Sequence, residues 1–421
     1  MEQLKHRFLI FIFLILSLTF LLLGFYILSI SMLFITSIII SKIYINYSSF
    51  ILHWVNPFML LHNFSYYIYL LIIVDNQSLN QGFIRPMLIM GYISFTTFNL
   101  LTIYFFERNK KRMSKLKKIK IDPYVFKIIW ILSLLSVLIY LSVIYTTNSL
   151  NTKRMIKNFI ADNPVLRYLY AITGLLVTLS IYNVYKNGYN RKLMLLYGFL
   201  FCFIFLFLGE RDLLFTYIIG VIFFYGYKKK CFPIFIYYSF FIFVALLAPL
   251  TQQLKSVLVS EDKLNIESDF KSMGFNEFMT VGKNIHRVYG VNKLKTIEDK
   301  KLIIDDFGNF LGITRNSGNW YNRVFLERPQ GSTGLGYSLQ LSGYMDFEYF
   351  GVFIVYFIVS IFTSKYYNYL NSSVLGLSFL VTLVSLLIYV QRQDLAYFLN
   401  FSIKFIVVPF IILTKTKLVK K

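Results

Sequence analysis

Long apolar stretches recur along the whole chain, and short clusters of charged residues separate them. Each stretch has roughly 15 to 25 residues, close to the ~20 that an α-helix needs to cross about 30 Å of hydrocarbon. Hydrophobic residues make up 57% of the chain and charged residues only 15%, whereas a soluble domain carries about 25% charged residues. A transmembrane β-barrel would instead show segments of about ten residues with alternating polarity. The sequence therefore predicts an all-α polytopic integral membrane protein.

The apolar stretches predict about twelve transmembrane helices. The first follows Lys5 and Arg7 and resembles a signal peptide, but a second apolar run follows at once and no small-residue cleavage site intervenes. We therefore expect it to be a retained helix. The predicted spans are 8–23, 26–41, 57–74, 86–106, 124–145, 168–185, 193–209, 213–227, 232–250, 347–363, 373–390 and 395–414.

The positive charges predict the orientation of these spans. The formal net charge is +23, and the Lys and Arg residues lie between apolar segments, as the positive-inside bias of membrane proteins requires. With the N-terminus in the cytoplasm, the basic clusters all fall on the cytoplasmic side, and the C-terminus is cytoplasmic as well. These clusters are 108–120, 186–192, 228–230, Lys365 and 415–421.

The stretch 193–227 is interrupted by Glu210, Arg211 and Asp212. As one long helix it would place Lys192 and the cluster 228–230 on opposite sides of the membrane. The positive-inside bias favours a hairpin of two short helices with its charged tip outside. Each arm is shorter than the hydrocarbon is thick, so we expect the tip to be recessed below the outer surface.

This topology divides the chain into three parts. Residues 1–250 hold transmembrane helices 1 to 9, residues 251–346 form one large extracytoplasmic loop, and residues 347–421 hold helices 10 to 12. A loop of that length is typical of a functional or a disordered segment. Its aromatic residues favour an ordered cap.

Two groups of charged residues lie at the predicted outer ends of helix pairs. Arg211, between Glu210 and Asp212, forms the tip of spans seven and eight; Arg392 and Asp394 lie between spans eleven and twelve. Charged groups near hydrocarbon are functional candidates, and the planar guanidinium suits a phosphate or diphosphate. The neighbouring acids would orient the guanidinium groups, or one would act as a base. Alternatively, both arginines simply snorkel and pair with these acids.

The loop adds further candidates. Glu277 and His286 are an acid and an imidazole close to Arg287 in the sequence, although a lone loop histidine is more often structural or exposed than catalytic. A glycine-rich stretch near arginines can cradle phosphate, although here it is also compatible with a flexible approach to span ten. The loop arginines before it and its glycines are Arg315, Arg323, Arg328, Gly334 and Gly336.

Asp346 and Glu348 lie where the tenth span begins. Either carboxylate would deprotonate a sugar hydroxyl if burial raises its pKa towards neutral pH. Alternatively, the two acids place negative charge favourably at the N-terminus of a helix. The sequence holds no metal-ligand motif such as HExxH or a cysteine cluster. We therefore expect neither a metal nor another cofactor. Because the Lys and Arg residues lie between apolar segments, we also expect no role in binding nucleic acid.

Taken together, these features resemble the Wzy-type polymerases of O-antigen and capsular polysaccharide repeat units. The resemblance covers the architecture of nearly the whole chain. Its local patterns are 209–214, with Arg211 at a hairpin tip; Asn276-Glu277-Phe278; 334–338; Tyr344; and Phe350-Gly351. In the first pattern this chain has Asp212 after the arginine, where the family more commonly has a small residue.

The resemblance implies a metal-independent glycosyltransferase in the bacterial plasma (inner) membrane. It would transfer the oligosaccharide of one undecaprenyl diphosphate en bloc to a second lipid-linked repeat on the outer face, building a capsule or the O-antigen of lipopolysaccharide. Its partners would be the lipid-linked repeat, the bilayer, a chain-length regulator and the flippase of the same pathway. It also implies that Arg211, Arg392 and the loop arginines bind the anionic substrate.

Other functions remain open. A flippase of the same lipid-linked repeat also has about twelve helices, but such carriers usually have short loops and two related halves. A polysaccharide ligase would use nearly the same parts. An unrelated transporter fits the composition too.

Overall fold

The computed structural model describes residues 2–45, 51–64, 67, 81–110, 123–146, 164–186, 190–208, 211–229, 239, 281, 284, 302–313, 320–321, 338–370 and 373–415. Within these residues every regular element is helical. The prediction of an all-α protein is thus confirmed for this part of the chain. The helices are α1 (Glu2–Leu22), α2 (Tyr26–Ile45), α3 (Ile51–Asn63), α4 (Gln81–Lys110), α5 (Pro123–Thr146), α6 (Pro164–Lys186), α7 (Arg191–Leu208), α8 (Arg211–Lys229), α9 (Leu302–Phe310), α10 (Leu339–Leu370), α11 (Val374–Val390), α12 (Leu395–Phe401) and α13 (Val408–Lys415).

Several of these helices suit a membrane. In the described part of the chain, three are long and apolar enough to cross one: Ile84–Arg108 of α4, Leu339–Leu370, and Leu395–Thr414. The last of these joins α12 to α13 through a π-helical turn, Ser402–Val407. Shorter apolar helices lie at His6–Leu22, Tyr26–Ser41, Pro123–Ile139, Leu213–Phe223 and Val374–Val390. The protein has the character of a helical membrane protein, while the number of its spans and their orientation stay predictions.

Buried polar side chains hold neighbouring helices together. The Asn56 carboxamide of α3 donates a 2.8 Å hydrogen bond to Asn99 of α4, and the hydroxyls of Thr178 in α6 and Thr382 in α11 lie 2.7 Å apart. Lipid is as apolar as leucine, so apolar burial alone does not drive helices together in a bilayer. Each such polar pair contributes about 0.6 kcal/mol and fixes the register of two helices.

Helices α4 and α10 run parallel over most of their length. The Ser360 hydroxyl lies 3.4 Å from the Phe98 carbonyl oxygen, and the rings of Tyr367 and Phe106 are 4.5 Å apart further along both helices. Helix α11 runs in the opposite direction and ends at Val390. We call the end of the bundle that carries the turn between α11 and α12 the upper end; the sequence predicts that it faces outside.

Helix α10 is broken near its start. Phe347 and Glu348 leave the helical conformation, and Glu348 has φ 51° and ψ −134°. A Cβ atom on Gly343 or on Gly351 would overlap the backbone of the other glycine. In a continuous helix these two residues would be about 12 Å apart. The segment Leu339–Met345 therefore folds back against the residues that follow Glu348.

This fold-back is not a feature that the sequence predicted. The tenth span was expected to begin at residue 347, directly after the outer loop, whereas the helical segment begins at Leu339. Ser338 through Gly343 are all buried. The last residues assigned to the loop thus lie inside the bundle, with Glu348 at the upper tip.

Candidate functional site

The turn between α11 and α12 lies below the tip of α10. The Tyr356 hydroxyl of α10 donates a 2.7 Å hydrogen bond to Oε1 of Gln391, the first residue of this turn. From Glu348 to Tyr356 the helix rises about 12 Å at 1.5 Å per residue. The turn is therefore recessed into the bundle.

Arg392 is the central charged residue of this turn. Its guanidinium carbon lies 5.6 Å from the centre of the Tyr389 ring, close enough for a cation–π interaction. The side chain is half-buried, and its charge acts on the buried imidazole of His62 in α3. A cation held over a ring and partly shielded from solvent attracts an anion more strongly than one in water.

The second predicted arginine begins α8 at the same height. The hydroxyls of Thr216 in α8 and Ser385 in α11 are 2.6 Å apart, and a Cβ on Gly220 would lie 3.3 Å from Val381 Cγ1. This antiparallel register puts the start of α8 beside the end of α11. Arg211, described by its backbone alone, therefore lies level with the turn that carries Arg392.

Two aspartates hold the start of α12. Asp394 is its N-cap and accepts a 2.7 Å hydrogen bond from the backbone N–H of Tyr397. Oδ2 of Asp306, a residue of α9, accepts a 3.0 Å hydrogen bond from the N–H of Leu395. Both side chains are buried. Negative charge at a helix N-terminus is stabilising, so the structure gives Asp394 a capping role; its role as a base stays a prediction.

The two acids at the start of the tenth span have different environments. Asp346 accepts a 2.6 Å hydrogen bond from the N–H of Ile303 at the start of α9. Glu348 is exposed at the tip of the fold-back with positive φ, a backbone conformation that is uncommon for residues other than glycine. Its charge and that of Arg85 in α4 both act on Tyr349. Strained residues of this kind concentrate at functional sites.

A cluster of neutral polar side chains lies beside the turn that carries Arg392, and the sequence reasoning missed it. Asn63, Ser94 and Gln340 surround the Tyr356 hydroxyl. Among the described residues, the Gln340 carboxamide and the Asn63 amide nitrogen have no hydrogen bond of good geometry. Polar residues within apolar spans are the signal that could have identified this cluster.

The other predicted site residues lie wholly or partly outside what the structure describes. Asp212 is described by its backbone alone, in the first turn of α8. Among the described residues, no group of His, Cys, Asp and Glu could hold a metal ion. The predicted residues outside the described ranges are Glu210, Glu277, His286, Arg287, Arg315, Arg323, Arg328, Gly334 and Gly336.

Comparison with protein-family models, with curated proteins and with solved structures found no match to this chain.

Proposed function

We propose that this protein is a polymerase of lipid-linked oligosaccharide repeat units at the outer face of the bacterial plasma membrane. It would use about twelve spans and both termini would be cytoplasmic. The upper end of the bundle then faces outside, where a repeat unit on undecaprenyl diphosphate would be presented.

One observation carries the proposal: Arg211 at the start of α8 and Arg392 in the turn after α11 lie at the same recessed height. Arg392 lies in a turn beside a polar cluster, level with the start of α8 at Arg211. A diphosphate between two such residues would accept paired hydrogen bonds from permanently charged guanidinium groups. Such a position, below the membrane surface, suits the head group of a lipid.

The chemistry follows from this placement. The bond between the anomeric carbon and the diphosphate oxygen breaks, and a bond forms between that carbon and a hydroxyl oxygen of the acceptor repeat. Arg211 and Arg392 stabilise the negative charge that develops on the departing undecaprenyl diphosphate. The hydroxyl proton passes to a carboxylate. Glu348 is our first choice for this base, because its exposed side chain stands at the tip above the arginines.

The remaining acids and arginines have supporting places in the proposal. Asp346 and Asp394 are engaged in helix caps, so we rank them after Glu348 as bases. Glu277 and His286 would be alternative proton acceptors from the outer loop. Additional phosphate contacts would come from Arg287, Arg315, Arg323 and Arg328.

The experiment that tests this proposal compares lipid-linked glycan in host cells with and without the gene. Deletion should remove long glycan and leave single repeats on undecaprenyl diphosphate, accessible from outside the cell. Single repeats that accumulate on the inner face would instead identify a flippase and contradict the polymerase. Unchanged glycan length would contradict both functions.

A further inference from the structure

Helix α9 presents an apolar face that is not packed against the bundle. Its nine residues, Leu302–Phe310, lie in the stretch predicted as a hydrophilic outer loop. Ile303 and Asp306 face the bundle and are buried. Ile304, Phe307 and Leu311 have helical spacing on another face and are 59%, 36% and 68% exposed.

The position of α9 along the bundle shows its depth. Asp306 bonds to the N–H of Leu395, and the Asn400 amide donates a 3.4 Å hydrogen bond to Oδ1 of Asn309. These contacts place α9 alongside the first turns of the segment Leu395–Thr414, which is long and apolar enough to cross a membrane. The helix therefore lies beside an apolar span rather than above it.

Backbone groups at both ends of α9 have hydrogen-bond partners within the protein, as an apolar environment requires. The N–H of Ile303 is paired with Asp346. At the other end Gly312 has φ +81°, and the N–H groups of Gly312 and Ile313 bond to the carbonyls of Asn309 and Gly308 at 3.0 and 2.8 Å. This is a Schellman cap, which satisfies the last carbonyls of a helix. Backbone groups need such internal partners wherever water is excluded.

We infer that α9 is an interfacial membrane helix whose face formed by Ile304, Phe307 and Leu311 contacts the lipid at the upper end of the bundle. Phe350 and Phe353 of α10, the helix against which Asp346 holds α9, are also exposed. Exposed apolar side chains thus lie both on α9 and on the spanning helix to which Asp346 joins it. Exposed apolar surface of this kind marks contact with a membrane or a partner, and the position of α9 beside the apolar segment Leu395–Thr414 selects lipid.

Part of the segment 251–346 would not stand free outside but would be inserted beside α12, with Asp306 holding it there. The inference does not depend on the proposed polymerase activity.

Site-directed spin labelling tests the inference. Ile304→Cys, Phe307→Cys and Leu311→Cys are built separately in the full chain with Cys202 and Cys231 replaced by serine, and each protein is reconstituted in vesicles of phosphatidylethanolamine and phosphatidylglycerol. The matched control is Asp305→Cys, on a different face of the same helix. Collisions of the nitroxide with oxygen, which partitions into lipid, are compared with collisions with a water-soluble nickel chelate.

We expect the ratio of oxygen to nickel collisions to be severalfold higher at Ile304 and Leu311 than at Asp305. Equal ratios at all positions would place the face in water and overturn the inference. Low collision rates with both reagents would show that protein covers the face, either a second copy or another part of this chain, and would overturn it as well. Leu311 packs least against the protein, so its variant provides the readout even if another variant misfolds.

Discussion

The backbone N–H of Leu395 donates a 3.0 Å hydrogen bond to Oδ2 of Asp306. Asp306 is completely buried, and it comes from a helix that lies far from Leu395 in sequence. Together with the contact between Asp346 and Ile303, this bond joins α9 to the fold-back of α10 and to the start of α12. The turn that contains Arg392 directly precedes α12. By holding the start of α12, α9 therefore also helps to hold this recessed turn.

Asp306→Ala should destabilise the protein. The substitution leaves a buried N–H at the start of α12 without its carboxylate acceptor, and loss of such a cap costs about 0.5 to 2 kcal/mol. Thermal unfolding in detergent should show a lower midpoint. Asp305→Ala, the same change one residue away at a half-exposed position, should have a smaller effect; equal midpoints for the two variants would contradict the capping role of Asp306.

Gly343→Ala should disturb the fold-back of α10. The new methyl group would overlap the backbone of Gly351, and overpacking of this kind costs about 1 to 3 kcal/mol. Gly198→Ala is the control, since its Cβ would lie 3.7 Å from the nearest atom of Tyr217, an ordinary contact. The unfolding midpoint should fall only for the first variant. A Gly343→Ala protein as stable as the control would mean that the two segments do not pack closely.

Two substitutions of Glu348 separate the effect of its backbone strain from the proposed role of its carboxylate as a base. Glu348→Gly should stabilise the protein by about 1 kcal/mol, because glycine adopts φ 51° without strain. Glu348→Gln keeps the strain, so its unfolding midpoint should match that of the unchanged chain. Both variants remove the proposed base and should shorten the glycan that cells make. Full-length glycan in both would exclude Glu348 as the base.

Arg392→Ala should abolish long glycan while leaving the protein in the membrane, because the proposed site loses a permanent positive charge. Arg392→Lys should restore only part of the activity, since an ammonium group lacks the planar fork of a guanidinium. Arg7→Ala is the control. Arg7 forms an exposed ion pair with Glu107 at 2.6 Å, and such pairs contribute at most about 1 kcal/mol. Glycan gels and membrane immunoblots of the three variants provide the measurement, and long glycan made by Arg392→Ala cells would remove the main support for the diphosphate site.

The helical membrane character of the chain could be predicted from the sequence because apolar runs bounded by charges are a local signal. Helix α11, Val374–Val390, covers the predicted span 373–390 almost residue for residue. Likewise Leu395–Thr414 matches 395–414. Both segments are mostly apolar and are bounded by polar residues, so their ends could be predicted.

The fold-back of α10 and the placement of α9 could not be predicted in the same way. The segment Leu339–Met345 is short and mixes leucines with Gln340, Ser342 and Gly343, so no periodicity marks it as buried. The backbone break at Glu348 and the approach of Gly343 to Gly351 reveal it. Likewise, Asp305 and Asp306 make α9 look like a solvated loop segment, whereas Asp306 is buried against the N-terminus of another helix.

The sequence predicted the charged residues of the candidate site but not the residues around them. Arg211 and Arg392 could be identified because charged residues near hydrocarbon cost free energy and are therefore functional candidates. That they lie at the same height depends on the register of α8 against α11, which the sequence does not show. The neutral cluster around Tyr356 was missed because asparagine, serine and glutamine raise no charge signal.

The most direct test of the central proposal is polymerisation by the purified full-length protein. The protein is reconstituted in vesicles with the undecaprenyl-diphosphate-linked repeat extracted from cells that lack the gene, and the products are separated by size, with Arg392→Ala as the comparison. The account predicts that the unchanged protein forms a ladder of longer lipid-linked glycans and releases undecaprenyl diphosphate, and that the variant leaves single repeats. Single repeats left unchanged by the intact protein, in vesicles where it retains its native unfolding midpoint, would contradict the account.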